Sequence, residues 1–203
     1  MKEKQRLGIY GGTFSPPHIG HVRAAEAFSE AVKPNKFLIM PDFLPPHKVF
    51  DGEASTEDRI KMCELAFSHI TGAEISNMEI LRGGKSYTVV TLRELYDADT
   101  ELYFLCGTDM FLSLERWYEF KEIFERAVIC YVKREHDFEI DRELYAAEEK
   151  YKSLYGAKII RIPSDIKEIS STDLRAALKC GEDTSLYLTE GVRAYICEKG
   201  LYH

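Results

Sequence analysis

Short apolar runs alternate with longer amphipathic segments along the chain. Apolar runs of about four to eight residues are typical of buried strands, whereas apolar positions spaced three and four apart are typical of helices. The pattern predicts six strands, at 6–10, 36–40, 73–80, 101–106, 127–132 and 157–162. It also predicts seven helices, at 21–32, 56–70, 88–96, 120–126, 141–155, 172–179 and 190–199.

The alternation of strand and helix predicts an α/β fold with a doubly wound, mostly parallel sheet and helices on both faces. We expect a single domain over 1–203, with a C-terminal helical part, about 163–203, packed on it. Ligands of such sheets bind beyond the carboxyl ends of the strands, near the point where the strand order reverses. The long non-periodic segments 41–55 and 133–140 follow strands and are therefore candidate substrate loops.

Composition narrows the classes of function. A net charge of −7 argues against general nucleic-acid binding, and an anionic substrate would need a local basic pocket. No run reaches the roughly 20 apolar residues of a membrane span, and no signal peptide precedes the first strand, so we expect a cytoplasmic protein without a membrane partner. The five cysteines are widely spaced among apolar neighbours, which predicts small buried side chains rather than disulfides or a metal site.

The stretch GIYGGTFSPPHIGH, residues 8–21, joins the first strand to the first helix. Gly11 and Gly12 permit close approach of a ligand to the backbone, or a positive φ, directly after the strand. Thr13 and Phe14 would then offer amide groups to a phosphate. The two prolines that follow stiffen the loop, so the segment combines backbone freedom with rigidity.

The two histidines of this stretch stand at the predicted helix start. His18 and His21 are spaced i and i+3 and can face the same side, where free helix amides and the helix dipole favour an anion. The segment therefore predicts a triphosphate cradle with two imidazole donors. An isolated His-x-x-His pair could instead be a metal site, or two side chains that cap a helix.

Familiar phosphate loops fit this chain less well. The glycine order is not GxGxxG, so the dinucleotide fingerprint is absent. Residues 84–86 imitate the end of a Walker A loop, but Glu79 stands where that loop needs glycine. We therefore reject the Walker A interpretation.

A second phosphate signal is ISSTDLRAAL, residues 169–178. Ser170 or Ser171 is a natural N-cap, and Asp173 can complete a shortened capping box, which is the structural interpretation. Arg175 in the first turn opposes the helix dipole and therefore favours a nearby anion. A helix start with hydroxyls and an arginine predicts a second phosphate clamp.

Together these stretches resemble a known family. GGTFSPPHIGH is similar to the GGTFDPPHxGH signature of the nucleotidyltransferase superfamily, and ISSTDLR resembles its ISSTxIR motif. The segments PDFLPPHK, SYTVVTL, GTDMFLSLERW and GVRAYICEKGLY are similar to those of bacterial nicotinate-nucleotide adenylyltransferases, in the same order. The family usually has Asp where this chain has Ser15, which changes the local charge but not the backbone geometry.

The resemblance implies a Rossmann-like nucleotidyltransferase fold and a reaction. ATP and nicotinate mononucleotide would give nicotinate adenine dinucleotide and pyrophosphate, with Mg²⁺ accompanying the ATP phosphates. By the resemblance, His18, His21 and Arg175 are the catalytic residues. The ATP site implied by the motifs consists of Gly11, Gly12, Thr13, Phe14, His18, His21, Ser171, Thr172 and Arg175.

The resemblance also implies a mononucleotide site, made of Lys48, Tyr87, Thr88, Asp109, Trp117, Tyr118 and Arg134. Lys48 would lie near its phosphate, Thr88 at the acid end of the ring, and Trp117 would stack on the ring. Asp109 would contact a ribose or a bound cation. Each residue also has a plain structural interpretation: a core tryptophan, a solvated lysine, a helix start or a helix cap.

Two alternatives remain at this stage. One is a related adenylyl- or cytidylyltransferase that uses pantetheine phosphate or a sugar-alcohol phosphate; the chain length and the PPHK loop speak against it. The other is a nucleotide-binding sensor without turnover. We also expect the acid form of the mononucleotide to be preferred over the amide, because backbone amides near Thr88 and Tyr118 would suit a carboxylate. The sequence leaves the oligomeric state open, a homo-oligomer included.

Overall fold

The architecture is a six-stranded parallel sheet, described here from a computed structural model that covers residues 4–46, 53–132, 138–163 and 170–203. The strand order is β3-β2-β1-β4-β5-β6, and every neighbouring pair is parallel. The strands are β1 (Gln5–Gly12), β2 (Lys36–Pro41), β3 (Ala73–Ile75), β4 (Thr100–Gly107), β5 (Ala127–Val132) and β6 (Ile159–Ile162). The predicted α/β class with a parallel sheet is confirmed.

Helices cover both faces of the sheet. They are α1 (Ile19–Val32), α2 (Thr56–Phe67), α3 (Met78–Arg82), α4 (Thr88–Glu94), α5 (Thr108–Ser113), α6 (Phe120–Arg126), α7 (Phe138–Tyr155), α8 (Ser171–Lys179) and α9 (Glu190–Lys199), with a 3₁₀ turn at Leu114–Arg116. Alternate residues of each strand point to opposite faces. Ile9 therefore packs in a core with side chains of α4 to α7, while Tyr10 packs in a second core with side chains of α1, α2, α8 and α9.

Most elements lie within a few residues of the predicted bounds, and two regions differ. The strand predicted over 73–80 is wrong beyond Ile75, because the chain turns there into α3, whose Glu79 side chain is buried. The alternation of apolar and polar residues in that stretch resembles one long strand. In the structure the same residues form a short edge strand followed by one helical turn. The sequence analysis also missed α5; Asp109, interpreted there as a possible helix cap, is the second residue of that helix, and the N-cap is Gly107.

The strand order reverses between β1 and β4, and this determines where a ligand can bind. β1 pairs with β2 on one side and with β4 on the other. The chain therefore adds strands first on one side of β1 and later on its other side. A crevice forms at such a switch point beyond the strand ends. Gly8 in β1 allows α1 to approach the sheet, since a Cβ there would lie 2.6 Å from the ring of Phe28. Among the residues the structure describes, no helix is both long and apolar enough to span a bilayer.

Candidate functional site

A cavity of about 640 Å³ opens at the carboxyl ends of β1 and β4. Its walls come from the turn after β1, the start of α8, the start of α4, and the segment from α5 to Tyr118. Both phosphate signals found in the sequence therefore line one cavity. All the predicted site residues within the described chain contribute to its lining: Gly11, Gly12, Thr13, Phe14, His18, His21, Tyr87, Thr88, Asp109, Trp117, Tyr118, Ser171, Thr172 and Arg175.

The two histidines form a reciprocal pair. The imidazole rings of His18 and His21 stack with their centroids 3.7 Å apart. The backbone N–H of His18 donates to Nδ1 of His21 at 3.2 Å, and the backbone N–H of His21 donates to Nδ1 of His18 at 3.3 Å. In a neutral imidazole, a hydrogen bond accepted at Nδ1 places the ring proton on Nε2. The two contacts fix the orientation of both rings at the cavity wall.

The start of α1 differs in one respect from the sequence prediction. His18 is the N-cap, so the helix begins at Ile19. The amide of Ile19 donates to the carbonyl of Tyr187 at 2.8 Å, and the amide of His21 bonds to His18. The expectation of free amides at this helix start is therefore wrong for these two groups. At this end of α1 the imidazole groups and the helix dipole would still favour an anion.

The turn after β1 also uses its residues differently from the prediction. The positive φ, 48°, belongs to Phe14 rather than to Gly11 or Gly12. Phe14 is buried, and its ring packs edge-on against His21, with centroids 5.1 Å apart. A Cβ on Gly12 would lie 3.0 Å from the Phe14 ring, so glycine makes room for that ring. The Phe14 conformation is uncommon for a bulky residue and indicates that the surroundings hold the turn firmly.

Arg175 joins the second phosphate signal to the first. Its Nη1 donates to the carbonyl oxygen of Ser15 at 2.9 Å, and its Nε lies 3.6 Å from Oε2 of Glu53. Ser171 Oγ donates to the carbonyl of Pro16 at 3.2 Å, which holds the start of α8 against the same loop. Ser170 is the N-cap, and its hydroxyl accepts the amide of Thr172. The start of α8 thus docks on the proline loop and faces the cavity.

Ser15, where the family usually has Asp, is tied to the C-terminal part of the chain. Its Oγ lies 2.9 Å from the hydroxyl oxygen of Tyr202. Both side chains are buried, with exposures of 3% and 2%. The pair anchors the loop through two neutral groups, which add no negative charge beside the cavity.

A buried ion pair beneath the turn after β1 was not found from the sequence. Arg59 of α2 is 1% exposed, and its Nη1 donates to the carbonyl of Thr13 at 2.9 Å. Its Nη2 donates to the carbonyl of Asp42 at 2.7 Å, and Nη1 lies 3.3 Å from Asp42 Oδ1. Thr13 Oγ1 donates to Asp42 Oδ2 at 2.8 Å. The only sequence signal for this ion pair was an arginine on an otherwise apolar helix face. That signal does not show which acidic residue pairs with the arginine.

Aromatic side chains form the other end of the cavity. Tyr87 and Tyr118 pack with ring centroids 4.7 Å apart. Trp117 is half-buried and packs edge-on against Phe104, at 6.0 Å between centroids. One part of the indole therefore contacts the core and another lines the cavity. Such a surface suits a flat ring, and the ring electrons of tryptophan attract a cationic one.

Glu79 is a second buried group that the sequence analysis used only to reject a motif. Its Oε1 accepts the hydroxyl of Thr91 at 2.5 Å, and the same hydroxyl accepts Nη2 of Arg82. Burial raises the pKa of Glu79, and this effect outweighs the hydrogen bonds from Thr91 and Ser86 and the charge of Arg82, which lower it. The carboxyl lines the cavity near the start of α4 and connects α3 to α4.

The carboxylate and imidazole groups around the cavity bear on whether a metal ion can bind there. Within the described ranges, no group of three or more His, Cys, Asp or Glu side chains can hold a metal ion. Asp109 is an exposed carboxylate in the first turn of α5 and lines the cavity. Mg²⁺ commonly binds through one or two carboxylates together with substrate phosphates. The Asp109 carboxylate therefore fits a Mg²⁺ ion that arrives with a nucleotide.

Two predicted mononucleotide residues, Lys48 and Arg134, lie outside the described residues. The remaining predicted residues meet at one cavity, while their individual roles stay predictions. The cavity wall also contains three carboxyl side chains, those of Asp42, Glu79 and Asp109. A polyanionic ligand can bind there only if cations neutralise the charges of these carboxylates or if the carboxylates point away from it.

Comparisons with known proteins identify the family of the chain. The family model described as cytidylyltransferase-like matches residues 9–177. A protein of Desulfatibacillum aliphaticivorans named "Probable nicotinate-nucleotide adenylyltransferase" is 36% identical over 219 residues, which cover 97% of this chain and 99% of that protein. A protein of Listeria monocytogenes serotype 4b (strain F2365) with the same name is 36% identical over 201 residues, covering 98% of both.

Solved structures share the fold. The nicotinic acid mononucleotide adenylyltransferase of Plasmodium falciparum complexed with APC matches with a TM-score of 0.72 over 98% of this chain and 97% of that chain. The same protein complexed with NaAD matches with a TM-score of 0.67 over the same shares. Identity is 16% in both cases, so these matches establish the common architecture alone.

Proposed function

The chain belongs to the cytidylyltransferase-like family of nucleotidyltransferases, and on that premise we propose that it transfers the adenylyl group of ATP to nicotinate mononucleotide. The products are nicotinate adenine dinucleotide and pyrophosphate, a step of NAD biosynthesis. The observation that carries this proposal is the convergence of His18, His21 and Arg175 on one cavity whose far end is aromatic. Relatives 36% identical over nearly the whole chain support the same acceptor.

The proposed reaction is an in-line displacement at phosphorus. A phosphate oxygen of the mononucleotide attacks the α-phosphorus of ATP, the new P–O bond forms, and the bond to the β-phosphate oxygen breaks with pyrophosphate leaving. No covalent enzyme intermediate is needed. The protein contributes by holding two anions in line and by stabilising the negative charge that develops.

The imidazoles act as fixed donors in this proposal. Nε2–H of His18 and His21 would bind phosphate oxygens, and the Nδ1 contacts keep both rings from turning. Preorganised donors of this kind cost no reorganisation when charge develops in the transition state. Mg²⁺ bound to the ATP phosphates would shield their charge and help orient the triphosphate.

The side chains at the start of α8 would bind the leaving group. Arg175 offers a guanidinium next to the hydroxyl of Thr172, and Ser171 lies beside them against the proline loop. An arginine suits pyrophosphate because its planar fork donates two parallel hydrogen bonds to phosphate oxygens. The aromatic end, with Trp117 and Tyr118, would hold the pyridine ring.

The test is one incubation series with ATP, Mg²⁺ and a panel of acceptors, with products separated by chromatography and pyrophosphate measured by a coupled assay. The panel contains nicotinate and nicotinamide mononucleotides, pantetheine phosphate and a sugar-alcohol phosphate. We expect dinucleotide and equimolar pyrophosphate with the nicotinate form. ATP binding without pyrophosphate release would favour a nucleotide sensor, and product from another acceptor alone would reject the proposed substrate.

The same series measures acceptor choice. We expect a higher kcat/KM for nicotinate mononucleotide than for the amide, because a site built for a carboxylate leaves polar groups unpaired when it is replaced by an amide. Equal kcat/KM values would contradict this preference without affecting the adenylyl transfer itself.

A further inference from the structure

The carboxylate of Asp42 occupies an unexpected position for a site that binds a polyanion. Asp42 follows β2 directly, and its amide continues the β1–β2 ladder by donating to the carbonyl of Gly12 at 3.0 Å. Its Oδ2 accepts the hydroxyl of Thr13, and the residue lines the cavity beside the turn after β1. A negative charge there would repel a triphosphate bound at that turn.

Arg59 balances that charge from below. The guanidinium is 1% exposed and lies 3.3 Å from the carboxylate, whose own side chain is 12% exposed. It also donates to the carbonyls of Thr13 and Asp42, so one planar group bonds to both chain segments. An arginine fork achieves this because its donors point in fixed, divergent directions.

The contacts connect α2 to two chain segments that are distant from it in the sequence. Arg59 is 46 positions from Thr13 and 17 from Asp42. Its hydrogen bond to the Thr13 carbonyl comes one residue before Phe14, which has the positive φ. The pair therefore holds the backbone of the turn as well as neutralising the carboxylate next to it.

We infer that Arg59 is a positioning residue for the ATP site, acting through Asp42 and Thr13. Its charge cancels the repulsion between Asp42 and the bound triphosphate, and its hydrogen bonds set the direction of the turn after β1. This inference rests on the proposed function, since it concerns the ATP half of that reaction. Arg59 itself touches no substrate in this account.

A purely structural role makes a different prediction, and a double substitution separates the two. Replacing Arg59 alone leaves a carboxylate without its balancing cation beside the phosphates, whereas replacing both residues removes both charges. If Arg59 supports ATP binding chiefly by cancelling the charge of Asp42, Asp42→Asn restores most of the ATP affinity that Arg59→Met removes. Under a structural role, the second substitution brings no recovery of affinity.

The experiment measures the ATP dissociation constant by calorimetry in the presence of Mg²⁺, with thermal unfolding followed by circular dichroism. We expect Arg59→Met to weaken ATP binding about tenfold and the double variant to lie within about threefold of the wild type. Asp42→Asn alone removes the carboxylate charge but leaves the buried Arg59 guanidinium without its counter-ion, so its ATP dissociation constant and unfolding temperature serve as the reference for the double variant. Arg59→Lys is included because it keeps the positive charge but lacks the planar donor group of arginine. If Arg59→Met does not fold, ATP binding is compared between Arg59→Lys and the wild type.

The matched control is Arg161→Met, which removes an arginine from a buried carboxylate elsewhere. Arg161 Nη2 lies 3.1 Å from Glu148 Oε1, and neither residue lines the cavity. We expect this variant to lower the unfolding temperature and to leave the ATP dissociation constant unchanged. The inference is overturned if ATP affinity stays within about twofold of the wild type in a folded Arg59 variant, or if Asp42→Asn gives no recovery.

Failure of the proposed reaction would be seen separately. ATP binding is measured without an acceptor. The ratio of the ATP dissociation constants of the Arg59 variants and the wild type therefore tests the role of Arg59 alone. The product assay with nicotinate mononucleotide decides the reaction.

Discussion

The hydroxyl oxygens of Ser15 and Tyr202 lie 2.9 Å apart although 187 positions separate them in the chain. The contact connects the loop after β1 to the segment that follows α9. The carbonyl of the same Ser15 accepts Arg175, so one loop residue is held from two directions. The geometry of the candidate ATP site therefore depends on the C-terminal third of the chain as well as on its own motif.

Removal of this hydroxyl pair is expected to destabilise the fold. Ser15→Ala and Tyr202→Phe should each lower the free energy of unfolding by about 1 kcal/mol, because each removes the same buried hydrogen bond. The double variant should cost less than the sum, since one hydrogen bond can be lost only once. Urea denaturation measures all three variants, with the exposed Tyr145→Phe as the control. Strictly additive losses would mean that the two hydroxyls do not interact.

The reciprocal histidine contacts allow helix capping and catalysis to be separated. His18→Asn should keep the capping hydrogen bond, because asparagine is a favourable N-cap whose carbonyl oxygen can accept the His21 amide. It lacks the Nε2–H donor, so kcat should fall about 100-fold while the unfolding temperature changes little. Kinetics in the pyrophosphate assay and a thermal melt check both outcomes, with the surface variant His69→Asn as the control. Near-normal kcat in His18→Asn would exclude the donor role.

Arg175 is expected to act through its fork as well as its charge. Arg175→Lys keeps a cation but loses the divergent donors that contact the Ser15 carbonyl and the Thr172 hydroxyl. We expect kcat/KM for ATP to fall about tenfold to a hundredfold, a larger effect than on KM for the mononucleotide. Steady-state kinetics with each substrate varied in turn separates these values. Equal losses for both substrates would contradict a role limited to the triphosphate.

Glu79 should make the stability depend on pH in a predictable direction. Burial raises its pKa above the ordinary 4.5, so the stabilisation from its protonated form is fully present below pH 4.5 and is lost as the pH rises through the raised value. Glu79→Gln is always neutral and keeps an acceptor for Thr91. Its free energy of unfolding relative to the wild type should therefore increase as the pH rises above 4.5.

Chemical denaturation of both proteins at several pH values measures this difference. The charged groups that act on Glu79 are Arg82, which lowers its pKa, and Asp42, which raises it. Arg82→Met should therefore strengthen the pH dependence. A stability difference between Glu79→Gln and the wild type that is independent of pH would contradict the raised pKa.

Much of the fold could be predicted from the sequence because its signals are local. The bounds of β5 and α9 agree with the prediction at both ends, since each element is a continuous apolar run or a periodic helix with clear ends. The strand predicted to reach residue 80 and the missed α5 show the limit of this approach. Both are short segments at the edge of the cavity, where packing against neighbouring elements outweighs local preference.

The sequence by itself determined the α/β architecture, the two phosphate motifs and the family that they resemble, because these depend on residue types at fixed spacing along the chain. Only the tertiary structure decided that Arg59 lies beneath Asp42, that Tyr202 reaches Ser15, and that the pKa of Glu79 is raised. Charge balance and burial depend on groups from different elements that contact each other in the folded protein. Such contacts close loops of tens of residues, and no local sequence pattern predicts which residues will meet.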